Sequence, residues 1–182
     1  MSFTIVPERP QDAVLISPLL DRTFGFDRTR KTVYRLREHL DPLLELCFSA
    51  VAEDGSLLAS IRYWPIEIAG TPAILLGPLA VEPALQGQGI GKALVRHSLQ
   101  AAALARHGIC VVVGDPNYYR PFGFESAPAR GLSLPGPVEP ERFQVCELSA
   151  GALTEVYGVI ARARRETPAK PARRRRVRRS VA

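Results

Sequence analysis

Apolar and polar positions follow two rhythms along this chain, and the change between them falls at a turn containing Gly87, Gly89 and Gly91. Before the turn the pattern is that of strands. Phe3 to Val6 reads as a short edge strand, and Leu44 to Ala52 and Leu57 to Ile68 are β-rich runs joined by Glu53-Asp54-Gly55-Ser56, in which Asp-Gly is a strong hairpin signal. Ala73 to Val81 is apolar at nearly every position, as a central strand buried on both faces should be. After the turn, Ile90 to His107 repeats leucine and alanine at helical spacing, with Gly108 as the expected cap. Ile109 to Val113 is again uniformly apolar and β-branched.

Two helices are predicted near the start, over Pro10 to Phe24 and over Arg28 to Leu40. Pro18 should kink or restart the first, and Pro42 follows the second. Tyr118 to Phe122 reads as a helical turn, Phe143 to Leu148 and Glu155 to Ile160 as late extended pieces. Three strands joined by short turns make an antiparallel meander, whereas strand, helix and strand over 73–113 require a right-handed crossover and a parallel pair. The fold class is therefore α/β (α+β): a mixed, mostly antiparallel sheet with helices on its faces and one parallel crossover.

A strand that runs through a glycine turn into a helix start suits a phosphate, because the first helical amides have no internal partner and carry partial positive charge. A Walker loop needs glycine at 86 and a hydroxyl at 93, where Gln86 and Ala93 stand. A dinucleotide fingerprint beginning at Gly87 needs glycine at 92, where Lys92 stands. Both are excluded. The remaining pattern is glutamine, two residues, glycine, one residue, glycine: Gln86, Gly89 and Gly91.

With that pattern, LAVEPALQGQGIGKAL resembles the central motif of the GNAT superfamily of acyl-coenzyme A N-acyltransferases. GDPNYYRPFGFE (114–125) and FQVCEL (143–148) are similar to segments of a bacterial branch of small predicted acetyltransferases. The resemblance spans roughly Phe3 to Ile160. It implies acetyl-coenzyme A as donor, a primary amine of a small molecule or a peptide as acceptor, and no metal. Backbone amides over Gln86, Gly87, Gln88, Gly89, Ile90, Gly91, Lys92 and Ala93 are then expected to hold the pyrophosphate, and Leu79, Ala80 and Val81 the pantetheine arm, with Asn117 reaching the same arm. Tyr119, four residues before Gly123, falls on the family's tyrosine and is expected to be the general acid, since a phenol (pKa about 10) can share its proton with a departing thiolate (about 8.5). Tyr118 is the adjacent rival. The oxyanion is expected on a backbone amide at the end of the central strand. Glu45, Glu67 and Glu82 are candidate bases, with a water chain as the alternative. Loops around 24–32, 62–66 and 128–140 are expected to select the acceptor. A coenzyme-binding module without turnover is the competing reading.

Charge changes the picture at one end only. The chain carries +6, but residues 162–182 hold ten of its 24 basic residues and one of its 18 acids, so that segment is +9 and the rest −3. Residues 1–161 are read as one domain and 162–182 as a disordered tail with a candidate contact to nucleic acid, ribosomes or an anionic surface. Cys47, Cys110 and Cys146, odd in number and each in an apolar run, read as reduced core thiols. With no apolar run near the roughly 20 residues of a membrane span and no signal pattern at the start, the chain is expected to be cytoplasmic, a monomer or a homodimer.

Overall fold

A computed structural model describes residues 2–30 and 32–164. Its strands are β1 (Thr4–Pro7), β2 (Phe48–Val51), β3 (Leu57–Ile68), β4 (Thr71–Val81), β5 (Ile109–Val113), β6 (Glu125–Ser126), β7 (Leu132–Ser133), β8 (Phe143–Glu147) and β9 (Gly158–Arg162). The path across the sheet is β1-β2-β3-β4-β5-β8-β6, antiparallel throughout except at β4–β5. A two-residue parallel ladder, β7 with β9, adds a second parallel contact, and β9 also pairs antiparallel with the end of β3.

β4 lies at the middle because its side chains serve two cores. Ile74 and Leu76 belong to the layer under α3 (Ile90–Leu104), with Leu94, Val95, Ala102, Ile61 and Tyr63. Ala73 and Leu75 point to the opposite face, with Ile66, Ile68, Val111 and Phe143. Farther along that strand, Ala80 is covered by Ile16, Leu19 and Leu20 of α1 (Ala13–Phe24). Two short helices complete the chain, α2 (Thr32–Arg35) and α4 (Pro116–Tyr119).

Four local expectations change. α1 runs through Pro18 unbroken; the carbonyl that loses its donor belongs to Val14, whose exposed position leaves it to water. The helix expected over 28–40 is a 3-10 segment (Phe26–Arg30) followed by the single turn of α2. Neighbouring Leu36 and Arg37 are both buried and His39 turns to φ 62°, a path one helical face cannot provide. Leu44–Leu46 forms a 3-10 turn ahead of β2, seating Leu46 in the core. At the end of α3 the left-handed residue is Arg106, not Gly108: the amides of Arg106 and His107 return to the carbonyls of Ala103 and Ala102 (3.0 Å each), closing a Schellman motif. Gly108 is small for another reason, since a Cβ there would stand 3.0 Å from that of Ala152.

The body also extends past residue 161. β9 includes Arg162, which donates to the Glu38 carbonyl (3.2 Å), and Arg164 lies 3.6 Å from Glu67. The rest of the basic segment, 165–182, lies outside the described residues. No helix among the described residues is long and apolar enough to cross a membrane.

Candidate active site

β4 and β5 pair at only two positions, Ile74 with Cys110 and Leu75 with Val111, and then separate. Just past that point β4 carries a bulge: Gly77 and Pro78 together oppose the single residue Arg62 of β3. The strand then rejoins β3, and the Glu82 amide donates to the Leu58 carbonyl (2.8 Å). Strand alternation therefore turns the backbone groups of Leu79 and Val81 to the other edge, into the gap left by β5. Val81 confirms the direction, since its carbonyl accepts from Gln86 Nε2 (3.3 Å) and lies 3.5 Å from Thr23 Oγ1.

That gap is part of a cleft of about 950 Å³. Its lining includes Gln86, Gly87, Gly89, Ile90, Gly91 and Lys92 of the glycine turn and helix start, Leu79 and Val81 of β4, and Leu76, Gly77, Val112, Gly114, Tyr118 and Tyr119. Gly87 and Gly89 have φ of 81° and 88°, which glycine adopts without penalty. Gly91 is small because a Cβ there would stand 2.6 Å from the Tyr118 hydroxyl and 3.2 Å from Val81 Cγ2.

The two tyrosines occupy different stations. Tyr118 is half-buried, with its hydroxyl against the start of α3. Tyr119 is 7% exposed, its ring edge-on to Tyr118 and Phe124 and packed on Gly114, where a Cβ would lie 2.3 Å from Cε2. Burial, reinforced by Tyr118 and Cys110, raises the pKa of Tyr119, so its hydroxyl keeps its proton. Tyr119 shares one buried cluster with Cys110 and Tyr63, beneath the point where β4 and β5 part.

The family model of the acetyltransferase (GNAT) domain matches residues 45–126. Over 155 residues the chain is 34% identical to the N-acetyltransferase YhbS of Escherichia coli K12, covering 84% of this chain and 92% of that protein. This chain belongs to the GNAT family. Among solved structures, the GNAT N-acetyltransferase YhbS of Escherichia coli in complex with CoA superposes with a TM-score of 0.76 at 32% identity, covering 88% of this chain and 89% of that one. A GNAT acetyltransferase of Brucella melitensis in complex with acetyl-CoA gives 0.66 at 30% identity, covering 89% and 96%.

Within this GNAT fold, nine of the expected residues line one cleft: Leu79, Val81, Gln86, Gly87, Gly89, Ile90, Gly91, Lys92 and Tyr119. Four do not. Ala80 faces α1, the Gln88 amide lies 3.4 Å from the Leu85 carbonyl, and the Ala93 amide is used inside the helix, donating to Gly89 (3.0 Å). Asn117 is exposed on α4, where its own amide donates to Asp115 Oδ1 (2.9 Å). The candidate bases are also absent from the lining. Glu45 is exposed, Glu67 stands near Arg164, and Glu82 is held by Arg22 through two bonds (3.2 and 2.9 Å). Asp115 and Glu139 are the acids that line the cleft.

The remaining wall comes from Thr23, Phe24, Arg28, Arg30, Thr32, Val33, Tyr34 and Arg37 on one side and Pro137, Val138, Glu139 and Arg142 on the other. Thr32 joins the two, its hydroxyl donating to the Pro137 carbonyl (2.7 Å). Segments 24–32 and 128–140 were expected here. Segment 62–66 instead backs a smaller adjoining cavity of about 210 Å³ through Arg62 and Trp64. Tyr34 and Arg37 had no signal in the sequence beyond lying in a charged, helix-like stretch.

Proposed function

We propose that this GNAT chain binds acetyl-CoA along the splayed edge of β4 and transfers the acetyl group directly to a primary amine. The observation that carries this reading is the continuity of the cleft, whose lining includes the glycine turn, the β4 edge at Leu79 and Val81, and Tyr119. Its volume lies near the top of the roughly 300–1,000 Å³ range of ligand sites, room for a donor and an acceptor together. The residues fit the donor: the turn offers unpaired helix-start amides and the charge of Lys92 for phosphates, and the β4 edge offers alternating donors and acceptors for an amide-bearing arm.

Direct transfer is favoured because, among the described residues, the cleft lining includes no cysteine, serine or histidine. All three cysteines are buried, and burial pushes the thiols up, to about 12 for Cys47 and about 11 for Cys146. Thr23 and Thr32 use their hydroxyls on the carbonyls of Leu19 and Pro137. The Leu79 amide, next to the bulge and turned into the gap, would stabilise the oxyanion; the C–S bond breaks as the C–N bond forms, Tyr119 gives its proton to the leaving thiolate, and the proton that the amine nitrogen loses returns to Tyr119 through water. The test is thiol release from acetyl-CoA across a panel of amines. Acceptor-dependent release is expected; tight coenzyme binding with no such release would leave only the binding-module reading.

A further inference from the structure

Three arginines stand around the small cavity behind the acceptor wall, and two have carboxylates. Arg62 is held by Glu8 through two bonds (2.8 and 2.6 Å), and Arg28 is paired with Asp21. Arg37 is different. It is 8% exposed, its Nε and Nη1 are enclosed without any hydrogen-bond partner, and no carboxylate among the described residues pairs with it. The third nitrogen, Nη2, stands at the cleft wall, 3.1 Å from where a Gly77 Cβ would be. The ring of Tyr34 lies 4.6 Å from the guanidinium carbon and that of Trp64 6.0 Å, so aromatic faces flank the charge without neutralising it.

A cation enclosed this way loses much of its hydration, which cation–π contacts restore only in part. Burial pushes its pKa down to about 10, which still leaves it charged at neutral pH. The missing partner is an anion. The donor's phosphates are poorly placed to supply it: Gly77 and Val81 are four residues apart on β4, roughly 13 Å, and the glycine turn lies beyond Val81. Arg37 is instead beside the bulge, its Nη2 facing Gly77, which precedes Pro78 by one residue and the Leu79 amide proposed for the oxyanion by two.

We propose that Arg37 binds a carboxylate of the acceptor, so that the acceptor is a small amino-carboxylate, a free amino acid or a close analogue whose amine and carboxylate lie a few bonds apart. This rests on the transferase reading above and names the acceptor class for that site. The carboxylate meets Nη2 at the Gly77 wall, and the amine, a short chain away, then faces the bulge. Thr32, docked on Pro137, closes the same wall.

The test pairs each amino acid of a panel with its decarboxylated amine and its amide, in the wild-type chain, Arg37→Gln and Arg37→Lys. Acetyl-CoA affinity and thermal unfolding serve as folding controls. The wild type should prefer the acid in kcat/KM by about 10- to 100-fold, the range of one hydrogen bond to a charged group. Arg37→Gln should bring the preference to near unity, and Arg37→Lys should restore part of it. No acid preference in the wild type, or a preference that survives Arg37→Gln, would overturn the assignment. So would an equal fall for acids and amines, which would put the guanidinium on the transfer step itself. Calorimetry of the N-acetyl amino acids with the CoA-loaded chain separates the two readings. Carboxylate-dependent binding lost in Arg37→Gln, without turnover of any amine, would refute the transferase and keep the anion site. Turnover with no dependence on the carboxylate would do the reverse.

Discussion

Gly91 and Tyr118 make a pair whose coupling can be worked out before it is measured. Gly91 is the second residue of α3, and its φ lies outside the left-handed region, so alanine fits the backbone. On propensity alone Gly91→Ala should stabilise the chain by roughly 0.5–1 kcal/mol. The new methyl, however, would stand 2.6 Å from the Tyr118 hydroxyl, where ordinary contact begins at 3.4 Å. A ring wedged between Tyr119 and Phe122 retreats only by disturbing its neighbours, and overpacking of that kind costs about 1–3 kcal/mol. Gly91→Ala should therefore cost about 1–3 kcal/mol more in the wild type than in a chain whose Tyr118 is phenylalanine. The contact with Val81 Cγ2 at 3.2 Å is common to both backgrounds and cancels in the cycle. Urea midpoints of the four proteins give the coupling, expected at about 1–3 kcal/mol. Additivity within about 0.5 kcal/mol would show that the hydroxyl does not lie against the helix start. Coenzyme A affinity should fall at least about tenfold (1.4 kcal/mol) in both alanine variants, because the methyl also enters the cleft.

The other expectations concern the tyrosine beneath and the thiols around it. Tyr119→Phe keeps the packing and removes the proton donor, so kcat should fall about 100-fold or more while the KM for acetyl-CoA holds; an unchanged kcat would end its role as the acid. Gly114→Ala would press a methyl onto the Tyr119 ring in a segment pinned by Gln144 Nε2 on the Gly114 carbonyl (3.0 Å) and by the Gly114 amide on Arg142 (2.9 Å). It should lose about 1–3 kcal/mol of stability, read by urea unfolding, and lower activity further than stability explains; a wild-type midpoint would refute the contact. Alkaline pH should unfold the chain. Each buried thiol keeps its proton when folded and loses it near 9 when unfolded, so the unfolded state binds fewer protons and stability falls as pH rises above 9. For Cys47, raised to about 12, the slope is about 1.4 kcal/mol per pH unit. Urea midpoints at pH 9 and 10 should show that slope reduced by most of one proton in Cys47→Ala, while Arg37, which titrates near 10 and acts in the opposite sense, contributes equally to both proteins. Equal slopes in the two proteins would contradict it.

Much of the sheet was legible because its chemistry is local. β3 was bounded at Leu57 and Ile68 by turns with their own signatures, and β4 and β5 were apolar at almost every position, which only burial on two faces explains. The stretch from Leu36 to Arg37 was illegible for the opposite reason. A buried leucine next to a buried arginine breaks every periodicity, and nothing near them in sequence shows that Tyr34, Trp64 and Gly77 will enclose the charge. The cap of α3 was misplaced because a glycine stood two residues beyond the left-handed position that Arg106 occupies. Helix-start amides were counted as free over a whole stretch, although turn closure occupies Gln88 and the first helical bond occupies Ala93.

This division follows from how each substrate is recognised. The donor end is built from backbone groups, so one uninterrupted stretch from Leu79 to Lys92 can supply it, and it must be written in small residues where the chain is approached closely. Gly91 and Gly114 are small for the same reason one step removed, since each makes room for a tyrosine of the cleft. On the proposed reading, the acceptor end is built from side chains brought by segments about a hundred residues apart, Thr23 to Arg37 and Pro137 to Arg142, which are joined by the bond from Thr32 to Pro137. Changes within those two segments can therefore alter the acceptor without touching the glycine turn. On the same reading, Arg37, which no carboxylate among the described residues pairs with, is the point on that wall where the acceptor would complete the site.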